Sequence, residues 1–413
     1  MLKGYEMKNN IKEKCSTGIP SLNKLLDGGF YRGSIIILAG HPGGGKSTFG
    51  AQFIYDGLKN NEAGVYVSFA EPKAEFYRHM KNLDFDFAHY EQEGTFVFLE
   101  SSPSTNIKEL VNLLSKIFET AYEIDAKRIV IDPISAIVEL FEEPIARALL
   151  QNSIIKPFKQ MNIVTLLIAD LPHGKEYIGY GFEEFLSDVV LRIEIDESRG
   201  LLRRILKIQK VREQPVPRIG YEFIINKGGI KLFTPLEIGF EGSYREERVS
   251  TGIVELDKMF NGGLFVGSIT LISGPSGTGK TMLSMSFALN AALSGQETIY
   301  ISFEEPQEQL IKLVRILGYN YEQLKDNLHI ISLSPRLLTS GAMYSIIEKQ
   351  IKEIKPRRLI LDGVNSLEKH YTRATYFDLM RSIAILCKIM NITCLLYTSD
   401  AADDGESVDL GGR

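Results

Sequence analysis

Short apolar runs rich in β-branched residues alternate along the chain with longer stretches whose apolar side chains recur at helical spacing. Residues 34–39 and 268–273 are runs of the first kind, and each leads directly into a glycine-rich loop. Helices are predicted to open at Lys46 and Lys280. Phe49, Phe53 and Ile54 mark the buried face of one, and Leu283 and Phe287 that of the other. Further strands are predicted at 64–69 and 298–303, with short buried ones at 128–131 and 358–361. Strands alternating with helices imply an α/β fold, a mostly parallel sheet flanked by helices on both faces. Phe76 and Tyr77 fall in a helical apolar pattern and read as packing residues.

The pattern occurs twice. Ser16-Thr17-Gly18-Ile19 returns as Ser250-Thr251-Gly252-Ile253, Asp27-Gly28-Gly29 as Asn261-Gly262-Gly263, and Gly33-Ser34-Ile35 as Gly267-Ser268-Ile269, all at an offset of 234 residues. A unit of that length holds its own core, so the chain is a tandem duplication of a domain. The expected division is an extension at 1–11, a first domain at 12–236, a linker at 237–247, a second domain at 248–396 and a tail at 397–413.

The duplicated glycine loops carry the chemistry. The first reads Gly40-His41-Pro42-Gly43-Gly44-Gly45-Lys46-Ser47, followed by Thr48; the second reads Gly274-Pro275-Ser276-Gly277-Thr278-Gly279-Lys280-Thr281, followed by Met282. Glycines let successive backbone N–H groups curl around phosphates, the lysine reaches the terminal phosphates, and the hydroxyl of Ser47 or Thr281 ligates Mg2+. Chance does not readily produce two matches in equivalent frames, so the expected ligand of both copies is ATP with Mg2+. His41 occupies a variable position of the loop and reads as a spacer.

The short buried strands end in Asp132 and Asp362. An acid at the carboxyl end of such a strand, opposite a phosphate loop, is placed to hold the metal. The preceding strand ends differ between the copies: Ser302-Phe303-Glu304-Glu305-Pro306 in the second, Ser68-Phe69-Ala70-Glu71-Pro72 in the first. Hydrolysis needs a carboxylate to orient or deprotonate water. If the strands continue through these positions, neighbours face opposite ways and Glu71 does not substitute for Glu304; if the end is a loop, Glu71 can turn in. The first copy is therefore expected to bind nucleotide and hydrolyse it slowly.

Composition adds limits. At 413 residues, 44% hydrophobic and 24% charged, the chain has the balance of a soluble globular protein. No apolar run approaches the ~18 residues of a membrane helix, and the N-terminus has no secretory pattern. Cys15, Cys387 and Cys394 form no metal or redox spacing, which fits a reducing, cytoplasmic setting. The net charge of −5 argues against a constitutive nucleic-acid binder.

Together the Ser-Thr-Gly-Ile openings, both phosphate loops, Phe303-Glu304-Glu305 and the stretch Tyr180-Gly181-Phe182-Glu183-Glu184-Phe185-Leu186-Ser187-Asp188 resemble the KaiC-like branch of the RecA superfamily, from about Ser16 to about Leu396. The resemblance implies two tandem RecA-like P-loop NTPase domains and a two-tiered homo-hexamer with ATP at subunit boundaries. It also implies an ATPase with a regulatory protein partner, and self-phosphorylation on Ser/Thr as a further activity. It makes Glu304 the base beside Glu305 and marks Ala70 as a departure. It also implies that a basic residue from a Lys-x-Arg strand reaches the neighbouring subunit's nucleotide. Lys207 matches that lysine, Gln209 stands where arginine is expected, and Lys210 and Arg212 are alternatives.

The C-terminus departs from the pattern. Met161-Asn162-Ile163 matches Met390-Asn391-Ile392, but the first copy then runs to about Phe233 while the second has only 397–413 left. That tail is small and acidic, resembles translated sequencing-adapter read-through, and is expected to be unstructured. The second copy is thus expected to lack its closing strands, and no phosphorylation site is assigned. Two other functions stay open: a DNA-dependent motor or recombinase, and a nucleotide-gated scaffold with little turnover. The loop for DNA would be 171–188, where Lys175, His173 and aromatic Tyr177, Tyr180 and Phe182 are outweighed by Glu176, Glu183, Glu184 and Asp188.

Overall fold

The structure is a computed structural model and describes residues 13–102, 106–171, 181, 183–198, 201–212, 214–215, 220–234, 246–275 and 277–398. The chain divides into two compact units near Thr234 and Pro235. The extension at 1–11, most of the expected linker and residues 399–413 lie outside the described residues.

In the first unit the sheet and its main helices are β1 (Ile35–Gly40), α1 (Lys46–Lys59), β2 (Gly64–Ser68), α2 (Lys73–Asn82), β3 (Phe96–Glu100), α3 (Ile107–Glu123), β4 (Arg128–Asp132), β5 (Val164–Asp170), β6 (Val189–Ser198), β7 (Leu201–Val211), β8 (Gly220–Asn226) and β9 (Gly229–Leu232). They form one nine-stranded sheet in the order β9-β8-β7-β6-β1-β5-β4-β2-β3. From β6 through β3 the pairings are parallel, whereas β7–β8 and β8–β9 are antiparallel. Alternation along β1 explains the layering. Ile36 and Leu38 join a core with Phe49, Phe53 and Tyr66 on one face; Ile35, Ile37 and Ala39 join Val65, Val67 and Leu114 on the other. Phe76 is fully buried in the first of these cores and Tyr77 packs against it, as expected of packing residues.

The second unit repeats the heart of this plan with β10 (Ile269–Ser273), α4 (Lys280–Leu293), β11 (Thr298–Ser302), α5 (Gln307–Ile316), β12 (Leu328–Ser332), α6 (Ser340–Ile354), β13 (Arg358–Asp362), α7 (Arg373–Ile389) and β14 (Thr393–Thr398). Its strand order, β10-β14-β13-β11-β12, is that of β1-β5-β4-β2-β3. Among the described residues this sheet has five strands, all parallel, with β10 at its edge. The consequence is visible at one position: Ile37, paired beside Val190 of β6, is 1% exposed, and its counterpart Leu271 is 54% exposed.

Three boundaries need correction. The strands expected to end at Phe69 and Phe303 end one residue earlier. The Ser68 hydroxyl accepts the N–H of Glu71 at 3.0 Å and the Ser302 hydroxyl that of Glu305 at 2.9 Å, a local turn that takes the backbone out of the sheet. The tail expected from residue 397 also begins too early. Tyr397 and Thr398 continue β14, because Tyr397 pairs in register with Ile272 and Asp362 on its two neighbours.

The repeated Ser-Thr-Gly-Ile motif has a structural role in both units. A buried arginine at the start of β4 or β13, Arg128 or Arg358, donates to the carbonyl of Ser16 at 3.0 Å or of Ser250 at 2.9 Å. The two arginines are neutralised differently. Arg128 Nε meets Glu62 at 2.6 Å and Nη1 meets Asp56 at 3.2 Å, and Glu62 also binds Arg32. In the second unit Gln296 and Asn290 stand at those two acid positions. Arg358 Nε and Gln296 Oε1 are buried without a hydrogen-bond partner, and burial lowers the Arg358 pKa to about 10.

Candidate functional site

Each phosphate loop joins a strand, β1 or β10, to a helix whose first turn has no side-chain cap. Gly45 and Gly279 cap α1 and α4 in the left-handed region, at φ 97° and 87°, and neither helix has a capping side chain. The backbone N–H groups of the first turn are therefore left for a ligand, and the dipole favours an anion there. Gly43 and Gly277 also take positive φ, 77° and 83°. At Gly45 a Cβ would lie 2.6 Å from the Cδ1 of Ile225 on β8, so the closing strands back the first loop; at Gly279 nothing lies within 4 Å. Ser276 lies outside the described residues.

The loop lysines are buried and folded back on their loops. Lys46 donates to the carbonyls of Gly40 at 2.8 Å and His41 at 3.0 Å, and pairs with Asp170 at the end of β5 at 3.0 Å. Lys280 donates to the carbonyls of Gly274 and Pro275 at 2.6 and 2.5 Å. The His41 Nδ1 lies 2.7 Å from the Leu171 carbonyl, which ties the loop to the residue after β5.

Beside each lysine stands the strand-end aspartate. Tyr66 donates to Asp132 Oδ2 at 2.7 Å and Tyr300 to Asp362 Oδ2 at 2.8 Å, each from the neighbouring strand. Ser47, at the start of α1, faces Asp132 and Tyr66 and completes the first cluster. Thr281 lies 3.0 Å from the Tyr397 hydroxyl. Among the described residues no three His, Cys, Asp or Glu side chains converge for a metal. One hydroxyl and one carboxylate fit Mg2+, which keeps water and phosphate oxygens as its other ligands.

Burial raises the Asp132 carboxyl above its ordinary value, while hydrogen bonds from Tyr66 and Ser47 and the charge of Lys46 pull it back. Burial likewise pushes Asp362 up to about 7; Tyr300 and Lys280 oppose this, and Glu305 and Glu304 reinforce it. With the folded value above the unfolded one, the folded chain holds a proton that the unfolded chain has released. This contribution is complete below about pH 4 and is lost as pH rises through about 7. Without metal, Asp362→Asn is expected to remove that loss. Denaturation midpoints of both proteins should differ little near pH ~4 and favour the variant near pH ~8.

The acids beyond β2 and β11 are arranged differently. Glu71 turns its carboxylate to His79 on α2, at 2.5 Å. The residue equivalent to His79 in the second unit is Leu313, and Glu304 lies exposed over Gly363. Ala70 occupies the Glu304 position in the first unit. Of the basic residues on β7 and just after it, Lys207 pairs with Glu194 at 2.6 Å and is half-exposed. Lys210 donates to the carbonyls of Glu184 and Ser187, both at 2.8 Å, and Arg212 to Asp188 and the Phe185 carbonyl, so these two are engaged within their own unit. Of the loop weighed for DNA, 172–180 and Phe182 lie outside the described residues.

A family model for the KaiC ATPase matches residues 15–237 and again 249–410. The chain belongs to the KaiC ATPase family. The KaiC model thus falls on both RecA-like units, and an ATP-linked role follows. Relatives include the circadian clock protein KaiC3 of Synechocystis sp. (strain ATCC 27184 / PCC 6803 / Kazusa), 28% identical over 394 residues, or 92% of this chain and 77% of that protein. The circadian clock oscillator protein KaiC of Synechococcus elongatus is 28% identical over 404 residues, 94% of this chain and 77% of the relative. That of Parathermosynechococcus lividus is 29% identical over 394 residues, 92% and 72%.

Sequence reasoning overlooked four members of this KaiC-type site: Tyr66, Tyr300, His79 and Asp170. The tyrosines left a signal, since each occupies the middle of a buried strand in the same frame of both copies.

Proposed function

We propose that this chain is an ATPase with two unequal nucleotide sites, one that retains ATP and one that hydrolyses it. The observation that carries the reading is the strand-end difference: an exposed Glu304 beside Asp362 in the second unit, and Ala70 with a His79-bound Glu71 in the first. In both units the loop N–H groups and Lys46 or Lys280 bind the phosphates, and Ser47 with Asp132, or Thr281 with Asp362, hold Mg2+. The metal, when bound, supplies charge neutralisation on the terminal phosphates.

In the second unit Glu304 orients a water and takes its proton as the water oxygen bonds to the γ-phosphorus and the bond to the bridging oxygen breaks, giving ADP and phosphate. Glu305 keeps the site acidic and helps align Glu304. Lys207 serves the neighbouring subunit's nucleotide in a homo-hexamer, exchanging Glu194 for phosphate. Retained ATP in the first unit would stabilise the ring, and turnover in the second would report to a regulatory protein partner. Equilibrium titration with a fluorescent ATP analogue is expected to find two sites per chain; one site per chain would contradict the reading.

A further inference from the structure

The strand-end aspartate is followed by Gly363 in the second unit and Pro133 in the first. Gly363 is buried and has a φ of 74°, in the left-handed region. A Cβ placed on it would lie 2.7 Å from Glu304 Cγ, 3.0 Å from Cδ and 3.2 Å from Oε2. The first of these is closer than real Cβ atoms come, so Glu304 lies where it does only because position 363 has no side chain.

The same backbone clasp fixes this relation in both units. The N–H of Phe303 donates to the Asp362 carbonyl at 3.0 Å, and that of Phe69 to the Asp132 carbonyl at 2.8 Å. The chain therefore leaves β11 and β2 by the same bond, one residue before Glu304 and Ala70. In the first unit the residue after the aspartate is Pro133, and the position of Glu304 is taken by Ala70. The smallest side chain is paired with the bulky one, and the base with the glycine.

We infer that the residue after the strand-end aspartate is the positioning residue for the catalytic base. Gly363 admits Glu304, and Pro133 excludes a base from the first unit independently of Ala70. The inference rests on the reading of Glu304 as the base. It makes the first unit's slow turnover a two-residue property, so restoring the acid alone does not restore hydrolysis.

A double-mutant cycle in the full-length chain tests it, with turnover and ATP-analogue affinity measured for each variant. Gly363→Ala is expected to lower kcat tenfold or more while affinity stays within about twofold, and to have no further effect in a Glu304→Ala background. Gly363→Asn brings the same Cβ but tolerates the left-handed backbone, so it separates displacement of Glu304 from strain and is expected to behave as the alanine variant does. In a Lys280→Ala background, Ala70→Glu/Pro133→Gly is expected to exceed Ala70→Glu alone at least tenfold in single-turnover hydrolysis. Wild-type kcat in Gly363→Asn, an equal loss with and without Glu304, or full recovery by Ala70→Glu alone would overturn the inference. Failure of the underlying reading is distinguishable, since it appears as wild-type turnover in Glu304→Gln itself.

Discussion

Glu304→Gln is expected to lower ATP turnover by about a hundredfold or more while leaving ATP affinity nearly unchanged, because it removes the proton acceptor and keeps the shape. The side chains, not the backbone, distinguish it from its neighbour: the N–H groups of Glu304 and Glu305 both donate to the Ser302 hydroxyl, at 3.3 and 2.9 Å, but the Glu304 side chain lies over Gly363 while the Glu305 charge bears more on Asp362. Glu305→Gln should therefore cost less, chiefly through the lost negative charge near Asp362. Glu71→Gln in the first unit should change turnover little, since that carboxylate is held by His79. Steady-state phosphate release by the three variants checks the order. Equal losses from Glu304→Gln and Glu71→Gln would mean that the first unit carries its own base.

The largest stability effect is expected at Glu62→Gln. Glu62 is the acid shared by Arg128 and Arg32, and Arg128 is 1% exposed. Removing one partner of a buried pair leaves a charge uncompensated, at a cost of about 3 kcal/mol here because Asp56 still faces Arg128. The mirror change is Gln296→Glu, which offers Arg358 the carboxylate its counterpart already has. With both Arg358 Nε and Gln296 Oε1 unpartnered, it is expected to stabilise the second unit by about 1–3 kcal/mol. Chemical denaturation of both variants measures this. A stabilised Glu62→Gln or a destabilised Gln296→Glu would contradict the account of the buried arginine.

Much of this arrangement is legible in the sequence because it rests on local chemistry. The helix starts at Lys46 and Lys280 follow from the glycine loops, and Asp132 and Asp362 end buried strands where the apolar runs stop. The strand ends at Ser68 and Ser302 were less visible. A serine hydroxyl accepting a backbone N–H three residues on competes with the sheet, and an apolar pattern does not record that competition. Partners brought together only by folding were not legible at all. Tyr66 reaches Asp132 across strands, Asp170 meets Lys46, and His79 reaches back from α2 to Glu71. Gly363 showed nothing in sequence beyond being a glycine; its meaning came from what stands above it.

The unequal division of labour is tested most directly by single-turnover hydrolysis of radiolabelled ATP in the full-length chain, with one loop lysine removed at a time. Lys46→Ala is expected to retain hydrolysis at the wild-type rate per second-unit site. Lys280→Ala is expected to bind ATP in the first unit and hydrolyse it at least about a hundredfold more slowly. A Lys280→Ala chain that hydrolyses its ATP as fast as the wild type would contradict the account.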